Sequence, residues 1–195
     1  MARSKIQVVQ LRRKKEGKTD YRKRLKLLLA NKPRLVIRKS LNNTWLQVVE
    51  YSPAGDRVVL SAHSRELKGL GWNLGYGNLP AAYLTGFLLG KKAAGKKVGK
   101  CVLDIGLYPS VKGARLYAAL KGAADAGMDV PFSKDILPSD DRIKGKHIAD
   151  FFAKIKPAKG DEKQFSVYLK NNVNPEDVAK QFEDVKKKIE GRKNG

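Results

Sequence analysis

The side chains in this sequence best placed to do chemistry are cations. Arg12, Arg13, Lys14 and Lys15 stand in a row, Lys18 follows, and Arg22 and Arg24 come a few residues later. Arg34 and Arg38 occur four residues apart in an apolar run. Guanidinium and ammonium groups at this density neutralise and hydrogen-bond phosphate oxygens, releasing the counterions condensed on a polyanion. Beside them lie neutral donors and acceptors, Ser40, Asn42 and Asn43, at a turn where they could bond a backbone or a looped-out base. Tyr21 and Trp45 adjoin cations and could stack on bases, at about 1–3 kcal/mol per base. Tyr21 could equally join the stripe of Leu25, and Trp45 could equally face a core. Lys112 and Arg115 mark the start of a later helix, whose N-terminus favours anions. His63 either touches the ligand or packs at a strand end.

Other chemistries find less support. A metal-dependent nuclease gathers several carboxylates around Mg²⁺. Here Asp104 lies on an apolar strand and Asp56 in a turn, with only Glu50 toward the end of a neighbouring strand. Gly69-Leu-Gly71 and Gly75-Tyr-Gly77 follow no βαβ strand, and no Gly-Lys-Ser/Thr comes after them, so a phosphate-cradling nucleotide loop is not indicated. His63, His147 and the lone Cys101 lack metal-ligand spacing, and one cysteine forms no disulfide within the chain. No cofactor is expected. Two further readings remain: an RNA-processing nuclease of the same architecture, and a general RNA chaperone or interaction module acting through the C-terminal helix.

The distribution of charge sharpens the reading. The 195 residues carry 41 Lys+Arg against 19 Asp+Glu, a formal net of +22. Residues 1–40 alone hold 15 cations and 2 acids, whereas residues 161–195 are nearly balanced. Such an excess repels itself unless a polyanion accepts it. The lopsidedness describes a basic arm, residues 1–18, that orders on its partner. Hydrophobic residues make up 42% of the chain, enough for a real core. No apolar run reaches the roughly 20 residues that span a bilayer, and no membrane partner is expected.

The elements that must position these groups follow from periodicity. Thr19 or Asp20 caps a helix in which Tyr21, Leu25, Leu28 and Leu29 form one apolar stripe among cations, closed by Asn31-Lys32-Pro33. Strands are expected at Arg34–Ser40, Thr44–Tyr51 and Arg57–His63, forming an antiparallel meander. Arg34, Val36, Arg38 and Ser40 share one face, with Leu35 and Ile37 on the other. Asn78 caps a helix reaching about Lys92. A buried strand is expected over Val98–Leu107, a second helix over about Lys112–Ala126, and a short strand around Asp129–Phe132. The fold class is thus α/β, a mixed sheet of three antiparallel strands followed by βα crossovers, with helices covering its faces. Residues 19–138 form this core. Residues 139–195 form a helical extension, in which Ser139 caps a helix through Ile155, Pro157–Lys163 is a polar linker, and Asn174-Pro175 opens a last helix. Its stripe of Val178, Phe182, Val185 and Ile189 packs on the body or on a neighbouring protein.

Several stretches together resemble a known family: Lys18–Leu25 (KTDYRKRL), Lys32–Ser40 (KPRLVIRKS), Ser61–Ser64 (SAHS), Gly77–Gly86 (GNLPAAYLTG), Leu103–Leu107 (LDIGL), Gly113–Gly127 (GARLYAALKGAADAG) and Arg142–Ile148 (RIKGKHI). In this order, over about residues 12–150, they resemble the 5S-rRNA-binding large-subunit ribosomal proteins numbered eighteen, archaeal type, related to the eukaryotic protein numbered five. The resemblance implies a ribonuclease-H-like fold and a structural, non-enzymatic role in the cytoplasm, in the ribosome. It implies binding to 5S rRNA, contacts with 23S-type large-subunit rRNA in the central protuberance, and neighbouring large-subunit proteins as partners, including the one numbered five.

Overall fold

The computed structural model describes residues 9–96, 98–155, 165, 166, 168, 171 and 173–192. The first eight residues of the expected arm and the expected linker Pro157–Lys163 lie outside them. The short helix α1 (Arg12–Lys15) and α2 (Tyr21–Leu28) precede β1 (Arg34–Lys39), β2 (Thr44–Glu50) and β3 (Arg57–His63). After a 3-10 segment, Ser64–Leu70, come α3 (Leu79–Gly95), β4 (Val102–Asp104) and α4 (Arg115–Asp125). The chain ends with α5 (Asp140–Ile143), α6 (Lys146–Ile155) and α7 (Val178–Glu190).

The four strands form one mixed sheet in the order β3-β2-β1-β4. Strands β1, β2 and β3 are the expected antiparallel meander, and β4 returns parallel to β1. That return needs a crossover, which α3 supplies. Asp20 caps α2 by accepting the amides of Arg22 and Lys23. Asn78 caps α3, whose first turn holds Pro80.

Leu35, Ile37, Leu46, Val48, Leu60 and Ala62 point from one face of the sheet into the core. There they meet α3, buried almost throughout, and α4, which shows its stripe of Leu116, Ala119, Leu120 and Ala123. The two helices approach closely because Gly86 and Gly122 carry no side chain. A methyl at Gly86 would overlap the Ala119 carbonyl, and one at Gly122 the Tyr83 carbonyl. Helix α7 sets Val178, Phe182, Val185 and Ile189 into the same core, with the Phe182 ring 5.5 Å from that of Tyr83. The C-terminal stripe therefore packs on the body.

Four expectations need correction. Helices cover the two faces unequally, because α3 and α4 pack tightly on one while α2 stands over the other at a distance that leaves a groove. The strand within Val98–Leu107 is only three residues long. Asp104 turns the chain out of the ladder by accepting the Gly106 amide at 2.8 Å, with Gly106 at φ +63. No strand forms around Asp129–Phe132, where Pro131 lacks a donor and a single amide, that of Cys101, bonds the Asp129 carbonyl. The helix expected from Ser139 to Ile155 is two helices, divided at Gly145.

Candidate nucleic-acid interface

Period-2 alternation sends Arg34, Val36 and Arg38 of β1 to the open face, opposite Val49, Gln47 and Trp45 of β2. His63 of β3 pairs with Trp45 in turn, and Asp104 of β4 lies beside Val36. The segment running from Arg13 through α2 stands along this face. Between helix and sheet lies a groove of about 1050 Å³. Tyr21 lines it from the helix side and Trp45 from the sheet side. Val36, Gln47 and Val49 also line it, together with Arg13, Lys18, Lys23, Arg24, Lys26 and Arg38.

A chain of alternating charges anchors this face. Arg24 binds Asp56 bidentately, at 2.8 Å to each oxygen. Asp56 also accepts from Arg34 at 2.6 Å, and Arg34 donates to Asp104 at 2.7 Å. Asp104 accepts from Arg38 at 3.1 Å, while Arg38 also donates to the carbonyls of Ile37 and Asp104. Burial pushes the Asp56 carboxyl up, but the hydrogen bonds and charges of Arg24 and Arg34 outweigh it and hold it below the usual carboxylate range. The bond to Asp56 raises the Arg24 pKa, so that guanidinium stays charged. Gly106 matters here a second time, because a methyl on it would come within 2.9 Å of the Arg38 guanidinium carbon.

The Trp45 indole is held on its far side. His63 caps the 3-10 segment, its Nδ1 accepting the Arg65 amide while Glu66 accepts the His63 amide. The imidazole, fixed in this way, meets the indole nearly edge-on, with centroids 6.2 Å apart at 64°. Trp45 remains 47% exposed, an aromatic face offered to solvent on a sheet strand.

The structure gathers Arg13, Lys18, Tyr21, Arg24, Arg38 and Trp45 in the groove, among the residues expected from sequence. Arg12, Lys14, Lys15 and Arg22 are exposed outside it, as is Lys112. Lys18 pairs with Glu16 at 2.8 Å, and Arg13 donates to Thr19. Arg34 lies at the groove but is only 3% exposed, and its terminal nitrogens are engaged by Asp56 and Asp104. In this arrangement it secures the face without offering donors to a phosphate. Arg115 likewise points inward. Its guanidinium donates to the carbonyls of Ser40, Leu41 and Gly77, clamping the β1–β2 turn. Within that turn Ser40 and Asn43 bond each other, Asn43 also accepts from Ser64, and Asn42 is exposed.

Sequence reasoning passed over Lys23, Lys26 and Gln47. Gln47 carried a usable signal, since it stands two residues from Trp45 on the same strand and shares its face. The joint role of Asp56 and Asp104 was also missed. These carboxylates do converge, but on arginines, so each is neutralised within the protein. Among the described residues no three His, Cys, Asp or Glu side chains cluster as a metal site would require. No helix among them is long and apolar enough to cross a membrane.

A mixed sheet with one face on helices and the other presenting cations and aromatics is a docking scaffold for a polyanion, with its acids engaged in structure. The sequence matches the family described as "Ribosomal large subunit proteins 60S L5, and 50S L18" over residues 4–99 and 93–133. It is 48% identical to the large ribosomal subunit protein uL18 of Korarchaeum cryptofilum over all 195 residues, the full length of both chains. It is 50% identical to that of Methanococcus maripaludis over 182 residues, 93% of this chain and 94% of the relative. The chain belongs to this family, as an archaeal-type large-subunit protein. It is therefore a structural constituent of the large subunit, cytoplasmic in the ribosome, and not an enzyme.

Proposed function

We propose that this chain binds 5S rRNA and helps anchor it to the 23S-type large-subunit rRNA in the central protuberance. Neighbouring large-subunit proteins, including the one numbered five, would lie against it. The observation that carries the reading is the groove, whose aromatics and lysines face outward while Asp56 and Asp104 are held by arginines and Asp20 by the amides of the helix it caps. Arg12, Lys14, Lys15 and Arg22 extend the cationic track beyond the groove, and Lys112 offers a further phosphate contact. Asn42 sits exposed at the clamped turn, where it can bond a sugar or base. In this division of labour residues 1–18 act as the arm, 19–138 as the rRNA-binding core and 139–195 as a helical extension. The sheet order, with β4 parallel to β1, supports kinship with the ribonuclease-H-like motif.

RNA duplexes are recognised mainly through phosphates, 2′-hydroxyls and shape, so affinity should fall steeply with salt. The test is nuclease footprinting of total rRNA with the full chain bound, together with the salt dependence of binding. Protection is expected on 5S rRNA and on an adjoining large-subunit segment. Changing Arg12, Arg13, Lys14, Lys15 and Lys18 to Gln should weaken binding. It should also flatten the log–log salt slope by about 0.7–0.9 for each phosphate that the variant no longer neutralises. Undiminished binding at an unchanged slope would remove the arm from the reading.

A further inference from the structure

Among the described residues that line the groove, Gln47 is the one neutral amide. It is half-buried on a central strand beside Val36 and Val49, and its side chain makes no hydrogen bond to any described residue. A phosphate needs donors only and is met by cations at the rim. An amide offers a donor and an acceptor together, which matches the polar edge of a heterocycle. Trp45, two residues away on the same face, supplies the complementary surface, an indole fixed by the capped His63 and open toward the groove. The volume of about 1050 Å³ is that of a site for a small ligand or a short stretch of chain, not a duplex. An A-form duplex withdraws its major-groove edges and shows its minor-groove edges only on a broad, shallow surface that does not enter a recess of this size, whereas an unpaired base can enter and reach the amide.

We infer that the groove receives an unpaired nucleobase of the rRNA, its ring stacked on the Trp45 indole and its polar edge bonded to the Gln47 side-chain amide. This rests on the rRNA-binding reading above and adds a base-reading subsite to the phosphate contacts. The lysines at the rim, Lys18, Lys23 and Lys26, lie where the flanking phosphates would pass.

The test uses the full chain with 5S and large-subunit rRNA, base-specific chemical modification of unpaired nucleotides, and filter binding across a salt series. Wild type should protect one unpaired base that Gln47→Met leaves reactive. Gln47→Met and Trp45→Ala should each weaken binding roughly 5- to 100-fold with no change in salt slope, because neither side chain displaces a counterion. Trp45→Phe should keep most of the affinity, since stacking survives. The inference is overturned if both Gln47→Met and Trp45→Ala bind and protect as wild type does. Loss of affinity with a flatter salt slope overturns it equally, as does protection confined to riboses and phosphates. Should either variant melt well below wild type, the other decides, since the two side chains would touch the base independently. A wild-type chain that ignores rRNA altogether defeats the underlying reading instead, so the two failures are distinguishable.

Discussion

Replacing Asp104 by Ala removes the hub of the charge chain, and the consequence can be worked from the geometry. The Arg34 side chain is 4% exposed and that of Asp104 8%, with 2.7 Å between donor and acceptor. Without Asp104, one terminal nitrogen of Arg34 is stranded where water hardly reaches, and its Nε is already without a partner. Asp56 still holds the other nitrogen. Breaking a buried pair from one side costs about 3–5 kcal/mol when the remaining charge is left uncompensated; Asp56 keeps part of the compensation here, so the low end, about 3 kcal/mol, applies. The Arg38 side chain is 39% exposed and can turn to solvent, so its share is small. The freed Gly106 amide adds about 1 kcal/mol. A loss of about 4 kcal/mol follows, or roughly 8–16 °C in melting temperature for a chain of this size. Urea unfolding followed by circular dichroism measures it. Adding Arg34→Met to an Asp104→Leu background should recover much of the loss, since apolar replacement of both partners removes the stranded charge. A loss below about 1 kcal/mol for Asp104→Ala would refute the claim that this network holds the face together.

Gly86→Ala should destabilise by about 3 kcal/mol or more, because the methyl would overlap the Ala119 carbonyl and force α3 from α4; thermal melting reads it. Arg115→Ala should cost about 1–3 kcal/mol and speed amide exchange in the 40–43 turn, while leaving the salt slope of rRNA binding unchanged. A phosphate-binding Arg115 would instead flatten that slope by about 0.9. Stability should fall with acid in two stages. Burial, reinforced by the charge of Arg142, lowers the His147 pKa from its usual 6.5, so the unfolded chain takes up this proton first and stability declines as pH drops below 6.5. Asp56, also depressed, contributes stability that is present above its unfolded value of about 3.8 and lost as pH falls through the lower folded value. In His147→Asn the upper stage should vanish from a pH series of urea midpoints while the lower one persists.

The meander was legible because its strands are rich in β-branched and other apolar residues and end at Asn42-Asn43 and Pro53–Asp56, where local chemistry decides the outcome. The caps at Asp20 and Asn78 were legible for the same reason. The register shift at Val48/Val49 left no such signal. What escaped depends on interactions between distant residues. Arg34 and Arg38 look identical along β1, yet one is sealed beneath Asp56 and Asp104 and the other is partly open. Only residues 22 and 70 positions away make that difference. Arg115 was expected to offer its charge to a phosphate at a helix start. One of the carbonyls it clamps belongs to a turn 74 residues earlier in the chain, which no local pattern announces. The apolar stripe of α2 misled differently. Leu25 and Leu29 recur at core spacing but are 61% and 72% exposed, because the core beneath the sheet is filled by α3, α4 and α7.

That last fact bears on how the groove can work. Its two sides are held by unlike forces. Trp45 and Gln47 belong to a strand hydrogen-bonded on both edges and backed by the core, so their positions are fixed before any ligand arrives. Helix α2 buries no residue at all, and the Arg24–Asp56 pair ties it to the sheet through side chains that are 29% and 26% exposed. An ion pair with about a quarter of its surface open to water is partly screened by salt, so it holds less firmly than the buried Arg34–Asp104 pair. A phosphate reaching the rim competes with Asp56 for Arg24, and Asp56 still has Arg34 when it loses. The cationic side can therefore shift to follow an irregular backbone at little cost in folding free energy, while the strand side keeps its geometry. Reading a base demands fixed positions and tracking phosphates demands compliance, and in the proposed reading a central strand meets the first demand and a surface helix the second.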